Sequence, residues 1–273
     1  MNRMLFRKSC FHCLFPVILL LFLMATTPTF AQSKHWHGKS CAVVLTYDDG
    51  LNVHLDNAIS LLDSLGMKGT FYIPGTSPGF QNRIEDWKRA ASNGHELGNH
   101  TLFHPCNGNL PGRNWVNPDY DLSHYTVSRF MDEVKACNFL LQVVDGKKDR
   151  SFAYTCGDQF AGNESFTDQI MGEFIAARGV RSAMNNFLTV DLSNIDSYMI
   201  NGESGEQMIQ LVRKAIESNS MLVFLFHGVG GEHSLNVSLP AHRELLKFLK
   251  KNEDKIWVTT LLDAAKYIRN FRK

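Results

Sequence analysis

From residue 41 to the C-terminus, short runs of almost wholly apolar residues alternate with stretches whose apolar residues recur at helical spacing. No other feature narrows the fold as much. Residues 42–47 read as a strand, and Leu55, Ala58, Ile59, Leu62 and Leu65 follow at helical spacing with Gly66 as a stop. Residues 69–73 form a second strand broken by Pro74-Gly75, and Ile84, Trp87 and Ala91 line one side of a helix over 84–93. A short strand at 96–99 runs straight into His100. Residues 107–121, rich in Gly, Pro and Asn, read as a long surface loop. Val127, Phe130, Val134 and Leu141 share a helical stripe, 151–156 reads as a strand, and 166–180 shows no clear period. Helix 206–217, strand 221–226, helix 240–251, strand 256–259 and helix 261–271 complete the pattern. Repeated strand-then-helix order predicts an α/β fold with parallel strands joined by crossover helices. The unbroken apolar run 221–226 suits a strand covered on both faces. In such folds chemistry gathers at the carboxyl ends of the strands.

Asp48-Asp49-Gly50 closes the first strand. Adjacent carboxylates at a buried strand end are costly, because like charges raise one another's pKa. An Asp-Gly turn with a helix cap accounts for one of them, whereas a cation or a catalytic task accounts for both. His100 and His104 stand four apart, a weak signal alone, but they too follow a strand. Two imidazoles and one carboxylate match a catalytic zinc site with a fourth position open to water. This mixed set suits Zn2+ best, with Co2+ or iron as alternatives, because harder ions favour all-oxygen shells. The second aspartate is then free to act as general base on an activated water. His227 follows strand 221–226 and reads either as the general acid or as a core histidine bonded to backbone. A backbone N–H near Cys156-Gly157 would serve a developing oxyanion. Glu232 and His233 read either as sugar contacts near the site or as residues that decorate a loop, the loop being the favoured reading. Trp115 and Tyr120 read either as sugar-stacking rings or as a packed loop cluster, and Trp87 and Trp257 as core.

A length of 273 residues with 44% hydrophobic content suffices for one large core. The first 31 residues stand apart from it. Arg3, Arg7 and Lys8, an apolar centre at 15–24 and the exit Thr29-Phe30-Ala31 make a secretory signal peptide cleaved after Ala31. Residues 32–273 are then the catalytic domain, secreted or periplasmic. The apolar stretch is short for a membrane span and contains Pro16, so no stable span is expected. Beyond the leader the chain carries 25 basic and 27 acidic residues, a formal charge of −2. With no basic tract, nucleic acid is not an expected partner. Cys41, Cys106, Cys137 and Cys156 remain. An oxidising compartment permits disulfides and allows three pairings; buried free thiols are the simpler expectation.

Three segments resemble the motifs of the NodB-homology polysaccharide deacetylases, carbohydrate esterase family four. Thr46-Tyr47-Asp48-Asp49-Gly50 is similar to the first motif. Gly94-His95-Glu96-Leu97-Gly98-Asn99-His100-Thr101-Leu102-Phe103-His104-Pro105 is similar to the second, and Leu225-Phe226-His227 to the last, in the family's order. The resemblance spans roughly residues 41–267. It implies a distorted, incomplete (β/α) barrel and a metal-dependent hydrolase that removes acetyl groups from a glycan. Asp48 matches the catalytic base, Asp49, His100 and His104 the metal ligands, and His227 the catalytic acid. Two motifs depart. The third carries an arginine that steadies the base, but residues 152–157 have none, and Cys156 would supply the oxyanion N–H there. The fourth orients the acid histidine with an aspartate and a tryptophan; residues 190–198 offer Asp191 or Asp196 and no tryptophan. The expected substrate is an N-acetylglucosamine-type glycan. The alternatives are O-acetyl ester hydrolysis on a xylan-type polymer and glycan binding without catalysis.

Overall fold

The computed structural model describes Met1 and residues 35–272; the leader expected over 1–31 lies, Met1 apart, outside the described residues. The chain begins with β1 (Cys41–Asp48), a π-helical turn His54–Ile59 running into α1 (Ser60–Ser64), β2 (Thr70–Ile73), α2 (Pro78–Gln81), α3 (Ile84–Ser92) and β3 (Glu96–Asn99). After a long loop come α4 (Val127–Asp145), β4 (Phe152–Ala153), the hairpin β5 (Phe160–Ala161) and β6 (Glu164–Ser165), α5 (Thr167–Glu173) and β7 (Ala177–Arg178). Then follow β8 (Asn185–Asn186), β9 (Tyr198–Met199), α6 (Gly205–Ser218), β10 (Ser220–Phe226), β11 (Gly228–Val229) and β12 (Asn236–Val237). The end is α7 (Leu239–Lys251), β13 (Ile256–Thr259) and α8 (Leu261–Phe271).

These elements follow the expected order, with two refinements. The strand expected over 151–156 stops at Ala153 and turns through Thr155–Gly157, because Cys156 adopts a left-handed φ of 56°. The stretch without a clear period resolves into α5 and the two-residue β7, too short to show an alternation. Helix boundaries have local causes. Ser204 and Gln207 form a reciprocal capping box at α6, and Gly146 ends α4 in the left-handed conformation.

The main sheet runs β7-β4-β3-β2-β1-β10-β8, with β13 on the first half of β1 and β9 beside β10; only β8 is antiparallel. Strand twist curls this sheet, and among the described residues its two ends do not pair with one another, which makes it the incomplete barrel that the resemblance implies. Residues alternate along β1 between two cores. Val43, Leu45 and Tyr47 pack with Leu62, Trp87, Val212 and Leu245 under the helices, while Ala42 and Val44 pack with Trp36, Tyr72, Val223 and Leu261. Each fully buried large side chain contributes about 1.5–3 kcal/mol. Trp87 is core as expected, and Trp257 is half-buried, edge-on to Tyr267 at 5.4 Å.

The amino end of the sheet is tied by one buried carboxylate. Glu96 Oε1 accepts from Ser151 N–H (2.8 Å) and its hydroxyl (2.6 Å), and Oε2 from Thr70 Oγ1 (2.8 Å) and Leu262 N–H (3.0 Å). The glutamate thereby joins β2, β3, the entry to β4 and α8. Among the described residues no helix is long and apolar enough to cross a membrane.

Candidate active site

Parallel register brings the carboxyl ends of six strands into one row. Asp48 lies beside Tyr72, Ile73 beside Asn99, Asn99 beside Phe152 and Ala153 beside Arg178, while Tyr47 pairs with Phe226 on the other side. Asp48, His100 and His227 therefore meet because each ends or follows a strand. They line one pocket of about 1000 Å³, with Asp49, His104, Trp115, Tyr154, Cys156, Met199, Leu225 and His233 among its walls. After Asp48 the chain turns sharply. Asp49 takes φ 81° and Gly50 φ 59°, and a Cβ on Gly50 would stand 2.8 Å from Ser77 Oγ.

Asp49 Oδ1 stands 3.4 Å from His104 Nε2 and 3.7 Å from His100 Nε2. These separations are too long for direct hydrogen bonds. Donor atoms about 2.0–2.1 Å from one tetrahedral cation would stand about 3.3–3.4 Å apart, so the trio has the spacing of a divalent-metal shell. The tautomer agrees. His100 Nδ1 is 2.9 Å from Ala153 O, to which it must donate, leaving the Nε2 lone pair facing the aspartates. Burial lowers the pKa of His100 to about 4, which keeps that lone pair free. For Asp49 burial pushes the pKa up, but His104, His100, His227 and His233 outweigh it and the net direction is down. A second cluster, His104 with Cys106 and Cys156, is spoken for, because the two sulfurs form a disulfide.

Asp48 Oδ2 accepts a short hydrogen bond from Arg178, which is fully buried and lies 5.1 Å from the Tyr72 ring centroid. The arginine missing from residues 152–157 is thus supplied by the neighbouring strand β7. Asp48 Oδ1 is buried, and among the described residues no donor reaches it. His100 Nε2 is 3.8 Å from Asp48 Oδ2. Asp48 is thus held next to the trio by a partner of its own.

His227 is half-buried in the same pocket. Burial lowers its pKa, opposed by the nearby Asp48 and Asp49. Its backbone oxygen accepts from His54 Nε2 (2.7 Å), while its own Nδ1 is buried and unpartnered among the described residues. Neither candidate for orienting it lies there. Asp191 is exposed and accepts from Ser193 N–H and Oγ in a local turn, and Asp196 is paired with Arg181. The structure instead brings in His233, which corrects the reading of that residue as mere loop. Its ring stacks on His227 with centroids 4.7 Å apart and planes 14° apart. Glu232 fastens the same loop by accepting from Asn52 Nδ2 (2.7 Å) and Val53 N–H (2.8 Å).

Cys106 and Cys156 are disulfide-bonded, which overturns the simpler expectation of free thiols for that pair; Cys41 and Cys137 are free and buried, with pKa values raised by burial to about 12. The bridge fastens the loop after His104 to the pocket wall at Cys156. Arg113 reinforces it by donating to Cys156 O (2.9 Å) and to Asp158. Trp115 is 64% exposed at the pocket rim, whereas Tyr120 stacks on Phe103 at 4.8 Å. Among the described residues, five of the seven non-glycine residues with left-handed φ are Asp49, Thr101, His104, Cys156 and Glu232, all at this site or in the loops that form it. Backbone strain of this kind collects where function holds it in place.

A family model described as Polysaccharide deacetylase matches residues 37–169. The chain is similar to a gellan lyase from a Bacillus species, 25% identical over an alignment 278 positions long that covers 87% of this chain and 10% of that protein. It thus spans about a tenth of that relative's length. Among solved structures, a Mycobacterium smegmatis protein assigned to the polysaccharide deacetylases superposes with a TM-score of 0.62 at 16% identity, covering 86% of this chain and 92% of that one. Puue allantoinase gives 0.59 at 10% identity (89% and 95%). The Bc1960 peptidoglycan N-acetylglucosamine deacetylase gives 0.53 at 19% identity (84% and 94%). These likenesses agree on the fold; since one neighbour is an allantoinase, the fold alone does not select the reaction.

Proposed function

We propose that this chain, a member of the polysaccharide deacetylase family, hydrolyses acetyl groups on an acetylated glycan at the pocket around Asp48. The observation that carries the reading is the divided state of that carboxylate. One oxygen is held by buried Arg178, and the other is buried, unpartnered and beside the Asp49–His100–His104 trio. A buried acceptor left empty costs about 1–3 kcal/mol, which a structural carboxylate would avoid and a proton acceptor needs.

Asp49, His100 and His104 would hold a divalent cation. Two nitrogens and one oxygen favour Zn2+, with Co2+ as the alternative. When bound, the ion supplies a Lewis acid and a water of lowered pKa. The protein's own residues do the rest. Asp48 Oδ1 takes the proton released as water adds to the acetyl carbonyl, and Arg178 keeps the carboxylate aimed. The backbone N–H of Cys156 serves the charge that grows on the carbonyl oxygen. His227 gives a proton to the departing sugar nitrogen or oxygen, so that acetate and the free amine or alcohol leave. Trp115 offers an aromatic face at the rim for a sugar ring.

An N-acetylglucosamine-type glycan is the favoured substrate, in keeping with the name of the Bc1960 neighbour. The test is acetate release from N-acetylglucosamine oligomers and from acetylated xylan, with and without added Zn2+. Metal-dependent acetate from the oligomers is the expected result. Acetate from xylan alone would reassign the protein as an O-acetyl esterase, and glycan binding without acetate at full metal occupancy would make it a binding protein. Export belongs to the same reading: the Cys106–Cys156 disulfide suits an oxidising compartment. A mature chain beginning at Gln32 in the periplasm or medium is expected, and uncleaved protein in the cytoplasm would oppose it.

A further inference from the structure

The loop after β10 carries an imidazole that the reaction above leaves unused. Residues 228–237 fold back on themselves: β11 pairs with β12, Gly228 N–H donates to Leu235 O (2.9 Å), and Gly231 N–H donates to Asn236 Oδ1 (2.9 Å). The loop is also bolted to the segment that follows Asp49. Besides the two Glu232 bonds, Asn57 Nδ2 donates to Val229 O (2.7 Å). His233 is therefore carried on the same rigid unit as Asp49, and its Nε2 stands 3.7 Å from Asp49 Oδ2.

The tautomer can be assigned. Leu235 N–H lies 3.0 Å from His233 Nδ1, and Leu235 O, at 3.3 Å, already accepts from Gly228. Nδ1 is thus the acceptor and Nε2 carries the hydrogen that faces Asp49. The two oxygens of Asp49 then have separate surroundings, Oδ1 toward His100 and His104 and Oδ2 toward His233. On the other side the His233 ring lies flat against His227, whose Nδ1 has no partner among the described residues. What orients the His227 ring is this stack rather than a carboxylate.

We propose that His233 is a positioning residue of this centre, the N–H dipole at its Nε2 facing the outer oxygen of Asp49 across 3.7 Å, an electrostatic contact longer than a direct hydrogen bond, while its ring face holds His227. The proposal rests on the functional reading above. It couples the metal-ligand carboxylate to the proton donor through one side chain. Groups that orient ligands from behind typically change metal affinity or activity 10–100-fold when removed.

Three variants separate the two contacts. His233→Phe keeps a stacking ring and loses the donor, His233→Gln keeps a donor and loses the ring, and His233→Ala loses both. Metal-stripped protein is titrated with Zn2+ by calorimetry, kcat and KM are measured on the best acetylated substrate, and Tm is recorded. The expected split is a Zn2+ Kd about ten-fold or more weaker in the Phe and Ala variants and near wild type in Gln. At saturating Zn2+, kcat should fall in Gln and Ala with KM little changed, and fall less in Phe. Wild-type affinity and kcat in all three variants would overturn the proposal, as would losses that merely follow Tm. If the wild-type protein releases no acetate from any substrate, the functional reading fails while the Zn2+ series still decides the contact with Asp49.

Discussion

Two buried carboxylates, Glu96 and Asp48, sit at opposite ends of the same sheet and are treated in opposite ways. Glu96 has four donors from three other segments, and each is an uncharged backbone N–H or hydroxyl. Asp48 has Arg178 on one oxygen and nothing from the described residues on the other. The same division runs through the surroundings. Among the described residues, five of the seven left-handed non-glycine residues and the unpartnered Ser77 Oγ, Arg178 Nε and His227 Nδ1 lie toward the carboxyl end, against an unpartnered Arg150 Nε toward the other. A saturated buried carboxylate holds a fold together; a half-empty one at a strand end is what the proposed base requires.

The largest expected effect tests the empty half. Asp48→Asn should lower kcat by roughly 10²–10⁴-fold while Zn2+ still binds, since general base catalysis contributes on that scale. Steady-state acetate release together with metal analysis reads this directly, and near-normal turnover would remove Asp48 from its role. Glu96→Ala should do the reverse. It leaves buried donors empty at about 1–3 kcal/mol each, so Tm should fall by on the order of 10 °C. The folded fraction should keep its Zn2+ affinity and kcat; an intact Tm in that variant would break the comparison from the other side.

Acid should act on the fold before it acts on the carboxylates. Burial lowers His54 and His95 to about 4 and His242 to about 3 from an ordinary value of 6.5. His54 and His95 each have a neutral arrangement of bonds, Nδ1 accepting from Leu51 N–H or Gly69 N–H and Nε2 facing His227 O or Asp63. Between pH 6.5 and about 4 the unfolded chain binds more protons than the folded one. Stability should therefore be full above pH 6.5 and fall as pH drops, by up to about 1.4 kcal/mol per pH unit for each histidine. A Tm that is flat from pH 7 to 4.5 would contradict this. The smallest effect is expected at the rim. Trp115→Ala should raise KM several-fold with kcat little changed, in line with about 0.5–1.5 kcal/mol for an aromatic contact, and a kcat loss without a KM change would place Trp115 elsewhere in the reaction.

What the sequence disclosed and what it concealed divide along the same physical line. Asp48, Asp49 and His227 were legible because each ends or follows a strand whose apolar run is visible locally, and His100 because it stands four residues before His104 after a short strand; parallel register then brings such ends together. Arg178 was not legible. Its strand is two residues long and shows no alternation, and its pairing with Asp48 spans 130 residues. The Cys106–Cys156 bridge was hidden for a similar reason, since spacing does not choose among pairings that only the folded chain brings close. Asp191 and Asp196 suited the role of orienting His227 by type alone, yet the first closes its own turn and the second pairs with Arg181. His233 sits in a loop held by Glu232 to Asn52 and Val53 and by Asn57 to Val229, contacts between segments more than 170 residues apart that no local pattern records.

The account stands on Asp49, His100 and His104 sharing one cation while Asp48 stays outside it. Calorimetric Zn2+ titration of metal-stripped wild type, Asp48→Asn and Asp49→Asn tests that division most directly. One ion per chain in the first two, with binding lost or greatly weakened in the third, is the predicted result. Equal loss in both variants, or no binding to the wild type, would contradict it.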